Sequence, residues 1–112
     1  MQKFLVLFNA PSAAMDAMMK ISTPEQKKAG MDEWKQWMEK NKASFIDTGA
    51  PVGKNLRVTA SGATAVRNDV GGYSIMQAES AEALVNMLKG FGHFEIPEAY
   101  IEVMPLADMS KI

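Results

Sequence analysis

Apolar residues follow one another without interruption near the start of this chain and then settle into alternating or helical rhythms. Phe4, Leu5, Val6, Leu7 and Phe8 are consecutive. That predicts a strand over 3–9 buried on both faces, which Pro11 ends. The segment 12–20 is rich in Ala and Met, good helix formers, and reads as either a short helix or a flap. Thr23-Pro24-Glu25-Gln26 is a capping box: Thr23 caps, Pro24 stands at the first helical position, and Gln26 reaches back to the cap. Met31, Trp34, Trp37, Met38 and Asn41 then recur at helical spacing, with Lys27, Lys28, Asp32, Lys35 and Glu39 around them, so a helix runs to about 41–43.

Shorter elements follow. A strand is predicted over 45–48, broken at Gly49-Ala50-Pro51. A hairpin of 55–60 and 64–67 turns at Ser61-Gly62. Asn68-Asp69 marks a turn, and 72–78 is the next strand. Ser80 caps a helix through Lys89 with Ala81, Leu84, Val85 and Leu88 inward, and Gly90 stops it. A last strand spans 100–104. The order β-α-β-β(-hairpin)-β-α-β lets two long helices cover one face of a sheet. No third layer is available for the other face, so a second copy of the chain is its simplest cover and a symmetric homodimer is expected.

Composition narrows the classes. A length of 112 residues makes a single domain, 1–112. The net charge of −1 and the absence of an arginine cluster leave no electrostatic footprint for nucleic acid. The apolar run 4–8 is too short for a membrane span or a signal-peptide core. Cysteine is absent, which excludes disulfides and thiolate metal sites and suits a cytoplasmic setting. With one histidine and no Asp/Glu cluster at ligand spacing, no metal is expected. No phosphate-binding glycine loop and no G-x-S-x-G element is present, so no cofactor motif and no serine hydrolase are expected.

The stretch 71–106, GGYSIMQAESAEALVNMLKGFGHFEIPEAYIEVMPL, resembles the YCII-related family of the dimeric α+β barrel superfamily. The likeness lies in the G-Y opener at Gly72-Tyr73, the helix start Ser80–Ala83, the H-F-E-I-P loop at His93–Pro97 and the I-E-V strand at Ile101–Val103. The opening MQKFLVLFNAP is also similar, and 12–22 looks like an insertion. The resemblance implies an α+β, ferredoxin-like βαββαβ unit with an antiparallel sheet and helices on one face. It also implies two copies closing into a barrel, with an active-site cleft near the dimer interface. One branch of the family carries D-G-P-F-x-E before the strand at 72–78. Here Val66-Arg67-Asn68-Asp69-Val70 stands there, and only Asp69 can fill the place of its acid. The N-terminal histidine of another branch is missing.

His93 follows a helix C-terminus, where the macrodipole favours the imidazolium, and a general acid–base near neutral pH is reasonable there. The alternative is a loop histidine that fixes the helix exit. Asp69 either orients His93, acts as a base, or is a turn residue bonding its own backbone. Arg67, Trp34 and Tyr73 are candidate ligand-pocket residues, although tryptophans at helical spacing are usually core. Gly71-Gly72 allows either close backbone approach to a ligand or a bulge. One sheet face is aliphatic. The other mixes Tyr, Met, Arg and Glu, suiting a dimer interior with paired charges such as Arg57 and Glu102. Two functions stand side by side: a small-molecule enzyme using His93 and Asp69, or a non-catalytic ligand-binding or interaction module.

Overall fold

The computed structural model describes residues 1–90, 96–108 and 110. The apolar run forms β1 (Gln2–Asn9), followed by α1 (Ser12–Ile21), α2 (Pro24–Lys40), a single 3₁₀ turn (Lys42–Ser44) and β2 (Phe45–Pro51). The hairpin β3 (Leu56–Thr59) and β4 (Gly62–Ala65) comes next, then β5 (Val70–Ala78), α3 (Ala81–Leu88) and β6 (Tyr100–Pro105). The sheet order is β2-β5-β1-β6, all antiparallel. Each long helix joins two parallel strands that have a third strand between them, which is the split βαβ arrangement of the ferredoxin-like fold. The segment 12–21 is a helix, which resolves the choice between helix and flap.

Cap chemistry fixes where the helices begin. Thr23 Oγ1 accepts from the Gln26 backbone N–H at 3.1 Å, while Gln26 Oε1 accepts from the Thr23 N–H at 2.8 Å. Ser80 Oγ accepts from the Ala83 N–H at 3.1 Å. Ser80→Ala should therefore cost about 1 kcal/mol, read as a lowered urea midpoint at unchanged slope. A midpoint shift near zero would mean that the cap is satisfied by water instead.

The core lies between helices and sheet. Phe4, Val6 and Phe8 from β1 meet Met76 from β5 and Leu84 and Leu88 from α3. Ser74, also buried, is satisfied by donating its hydroxyl to the Thr48 carbonyl at 2.7 Å. The ring of Phe8 meets that of Trp34 edge to face at 5.3 Å, Trp34 stacks on Trp37 at 5.9 Å, and Trp37 meets Phe45 edge to face at 5.6 Å. This ladder docks α2 on the sheet. Met31 and Val85, expected on inward faces, are 51% and 40% exposed. Each helix touches the flat sheet along a narrow stripe, and these two residues stand beside it.

Two expectations change. The strand after α2 does not stop at Gly49. It continues to Pro51, which pairs with Gly72, with irregularities in register between Phe45 and Asp47 and between Asp47 and Ala50. Gly49 sits at φ +73°, which turns the chain within the strand, and its N–H is held by the Asp47 carboxylate at 2.8 Å. Pro51 is tolerated because β2 is an edge strand. The hairpin forms its own two-stranded sheet. Arg57 is thereby taken out of the main sheet, and among the described residues it is not brought to Glu102. The one ion pair there is Arg67–Asp16.

Among the described residues, β1 is covered on one face alone. Leu5 and Leu7 point away from the helices and are half-exposed, beside Ile75, Tyr73, Met104 and Glu102 of the neighbouring strands. The molecule measures 46 × 45 × 20 Å, a slab two layers thick. Its radius of gyration of 15.7 Å exceeds the roughly 13 Å of a compact chain this long. It exposes 8023 Å², about 1,900 Å² more than a compact monomer of its mass. A typical interface buries about 800 Å² per partner, so the surplus is large enough for one. Among the described residues, no helix is long and apolar enough to cross a membrane.

Candidate functional site

The chain crosses from the hairpin to β5 through 66–69, and this connection carries two of the candidate residues, Arg67 and Asp69. Asn68 makes the local turn contact, its Oδ1 accepting from the Val70 N–H at 3.0 Å. Ala10 N–H donates to the Asp69 carbonyl at 2.9 Å. With the turn secured by its neighbour, the Asp69 carboxylate is left to face another element. Tyr100, the first residue of β6, donates its hydroxyl to Asp69 Oδ2 at 3.0 Å. That bond holds the phenol proton and raises the Tyr100 pKa above the ordinary phenol value, with burial and the negative charges of Asp69 and Glu102 acting in the same direction. The phenol is therefore neutral at pH 7 and is a hydrogen-bond donor. The turn role considered for Asp69 belongs to Asn68.

Arg67 pairs with α1 instead. Its Nη1 and Nη2 donate to Asp16 Oδ2 and Oδ1 at 2.9 and 3.0 Å, a bidentate pair that ties α1 to the connection. The guanidinium bond holds the Asp16 carboxyl below the usual carboxylate range. The pair is exposed, at 65% and 48% for the two side chains. Any stability it adds is present at neutral pH and lost as pH falls through the carboxylate range.

Beneath this pair runs an open groove of about 610 Å³, lined by Met15 of α1, residues 52–55 of the β2–β3 loop, Leu56 of β3, residues 65–68, Val70 and Gly71. A Cβ at Gly71 would stand 3.1 Å from Met15 Sδ, a tight contact that the flexible thioether has to relieve by a few tenths of an ångström. Gly71 is also skipped in the β1–β5 register, where Phe8 faces Gly72 and Asn9 faces Val70. That matches the bulge reading of Gly71-Gly72. Lys54, in the left-handed region at φ 55°, also lines the groove. A second groove of about 420 Å³ lies between the end of α2 and β2, lined by residues including Lys35, Met38, Phe45 and Ile46.

The structure thus brings Asp69 to Tyr100 and puts Arg67 on the groove two residues earlier. Trp34 packs in the aromatic ladder and lines neither groove. Tyr73 stands on the open sheet face opposite Leu7 and Ala50. His93 lies outside the described residues. Tyr100 and Asp16 escaped the sequence reading: nothing in the local pattern distinguishes Tyr100 from a strand aromatic or Asp16 from a solvated helix charge. Among the described residues no group of three His, Cys, Asp or Glu could hold a metal ion.

Comparison with known protein families finds no match, and comparison with curated proteins finds none either. Among solved structures, the chain is similar to 5-chloro-2-hydroxyhydroquinone dehydrochlorinase from Burkholderia phenoliruptrix AC1100, solved in complex with 2,5-dihydroxybenzoquinone. The TM-score is 0.58 at 14% identity, over 97% of both chains. At that identity the likeness carries the fold alone, an α+β, ferredoxin-like fold with an antiparallel sheet.

Proposed function

We propose that the protein is a cytoplasmic, homodimeric small-molecule enzyme of the YCII-related kind. In this reading Asp69 and Tyr100 form a proton-handling pair and His93 is the acid or base that titrates near neutrality. The observation that carries it is the 3.0 Å hydrogen bond from Tyr100 to Asp69. A carboxylate that spends its turn position on a phenol from a distant strand orients a neutral donor at the end of the sheet. His93 precedes Tyr100 by seven positions in the chain, and its imidazole would move the proton that the pair orients. The uncovered sheet face and the surplus surface support the homodimer. The fold neighbour is itself an enzyme and binds a small oxygenated ring, so compounds of that class head the panel of substrates to screen.

The test is turnover across that panel by wild type, His93→Ala and Tyr100→Phe. His93→Ala should lower kcat by about 10²–10⁴-fold, the usual weight of a general acid or base. Tyr100→Phe should lower it by about 10- to 100-fold, the value of one hydrogen bond to a charged group. Equal turnover by wild type and His93→Ala rejects the acid–base role.

The second reading, a non-catalytic ligand-binding module, is favoured by the missing Gly-Pro-Phe element before β5. It predicts ligands that raise the melting temperature and are recovered unchanged.

A further inference from the structure

The groove under α1 carries two cations, Lys54 and Arg67, and no acid among its lining residues, which are otherwise largely apolar: Met15, Leu56, Val66 and Val70. Its one carboxylate is supplied from outside the lining. Asp16 reaches over from α1 and takes both donor nitrogens of Arg67 in the fork geometry with which guanidinium groups recognise carboxylates. Both partners are well exposed, and exposed pairs of this kind are worth about 0.2–1 kcal/mol. None of the residues of α1 is buried. The carboxylate is therefore held by an exposed pair of modest strength, and it is exchangeable.

We propose that the groove binds a small carboxylate with an apolar body, and that Asp16 is a built-in competitor which occupies Arg67 until the ligand's carboxylate replaces it. Exchange trades one Arg–carboxylate fork for another. The apolar body of the ligand, buried against Met15, Leu56 and Val70, drives the exchange. Lys54 adds a second positive charge at the same site. A neutral molecule of the same shape gains the apolar contact and cannot displace Asp16. The proposal deepens the small-molecule reading by naming the ligand class, and it depends on that reading only for this region being a binding site.

Benzoate and its neutral analogue benzamide serve as probes, with binding followed by calorimetry at low ionic strength and neutral pH. Wild type should bind benzoate more tightly than benzamide. Asp16→Asn, which removes the competitor, should tighten benzoate binding about two- to fivefold, the weight of an exposed ion pair, and leave benzamide unchanged. Arg67→Met should remove the preference for benzoate, and Arg67→Lys, which keeps the charge and loses the fork, should restore part of it. Both sites are exposed, and an unchanged circular dichroism spectrum confirms that the variants fold. Equal affinity for the two probes in wild type overturns the proposal, as does benzoate affinity indifferent to either substitution. Binding is read without turnover, so failure here leaves the Asp69–Tyr100–His93 chemistry standing, and failure of that chemistry leaves this site standing.

Discussion

Gly49→Ala is expected to destabilise the protein by at least about 3 kcal/mol, because two separate costs fall on one residue. The φ of +73° at this position costs an L-residue with a Cβ about 1–2 kcal/mol. A Cβ here would also stand 1.7 Å from the Tyr73 carbonyl oxygen and 2.6 Å from its carbon. Both are backbone atoms of β5, so no side chain can swing aside, and β2 would have to leave the sheet. The Ser74 hydroxyl bond to Thr48 would go with it, leaving a buried hydroxyl unpaired. The core is small, with Phe4, Val6, Phe8, Ala10, Met76, Leu84 and Leu88 as its buried apolar residues among those described. Thermal and urea unfolding of the variant should show a protein unfolded, or nearly so, at 25 °C. Gly30→Ala, where a Cβ would meet nothing within 4 Å, is the control and should be neutral or slightly stabilising, as expected inside a helix. Similar stability for the two variants would mean that β2 is free to detach without loss.

If the protein is the proposed homodimer, Leu5→Asp should halve the mass of the particle while leaving the protomer folded. Leu5 lies at the centre of the uncovered face, between Ile75 on β5 and Met104 on β6. If two such faces close on each other, a two-fold axis sets two copies of the new carboxylate in an apolar interior, unpaired. Burying unpaired charge costs several kcal/mol, and about 4 kcal/mol is a factor of roughly a thousand in the dimer dissociation constant. Inside the protomer the same residue is half-exposed, so the helix-side core is untouched and the circular dichroism spectrum should be preserved. Light scattering at micromolar concentration reads the outcome directly. A wild-type protein of monomer mass, or a variant with unchanged mass, would rule out this face as the interface.

Most elements were legible because their signals are local. The run 4–8 marks β1, Thr23 with Gln26 marks the start of α2, Ser80 marks α3, and Ser61-Gly62 marks the hairpin. Each is decided by residues within a turn or a pleat of one another. The extension of β2 past Gly49 was not legible, because a glycine followed by Ala-Pro looks like a break unless β5 lies alongside to pair with it. The candidate site divides in the same way. Asp69 and Arg67 drew attention as charged residues at a turn. Their partners lie 31 and 51 positions away, and neither pairing leaves a trace in local spacing. Alternation places Ser74 and Met76 on one face of β5 and Tyr73 and Ile75 on the other, and the structure buries the first pair alone. Alternation could not show that Arg57 would leave with the hairpin, since a short strand looks the same in a sheet of its own as in a larger one. Trp34 had two readings, and its contacts with Phe8 and Trp37 put it in the packing between layers.

The aromatic ladder has an optical consequence. The chain has two tryptophans, and both belong to the seam between α2 and the sheet, stacked at 5.9 Å with their planes 17° apart. Its entire indole emission therefore comes from a single joint, and two rings so close and nearly parallel couple their excited states. Fluorescence and near-ultraviolet dichroism follow the seating of α2 on β1 and β2. They carry little about α1, the hairpin or the Asp69–Tyr100 pair, whose changes have to be followed through tyrosine or by labels placed there.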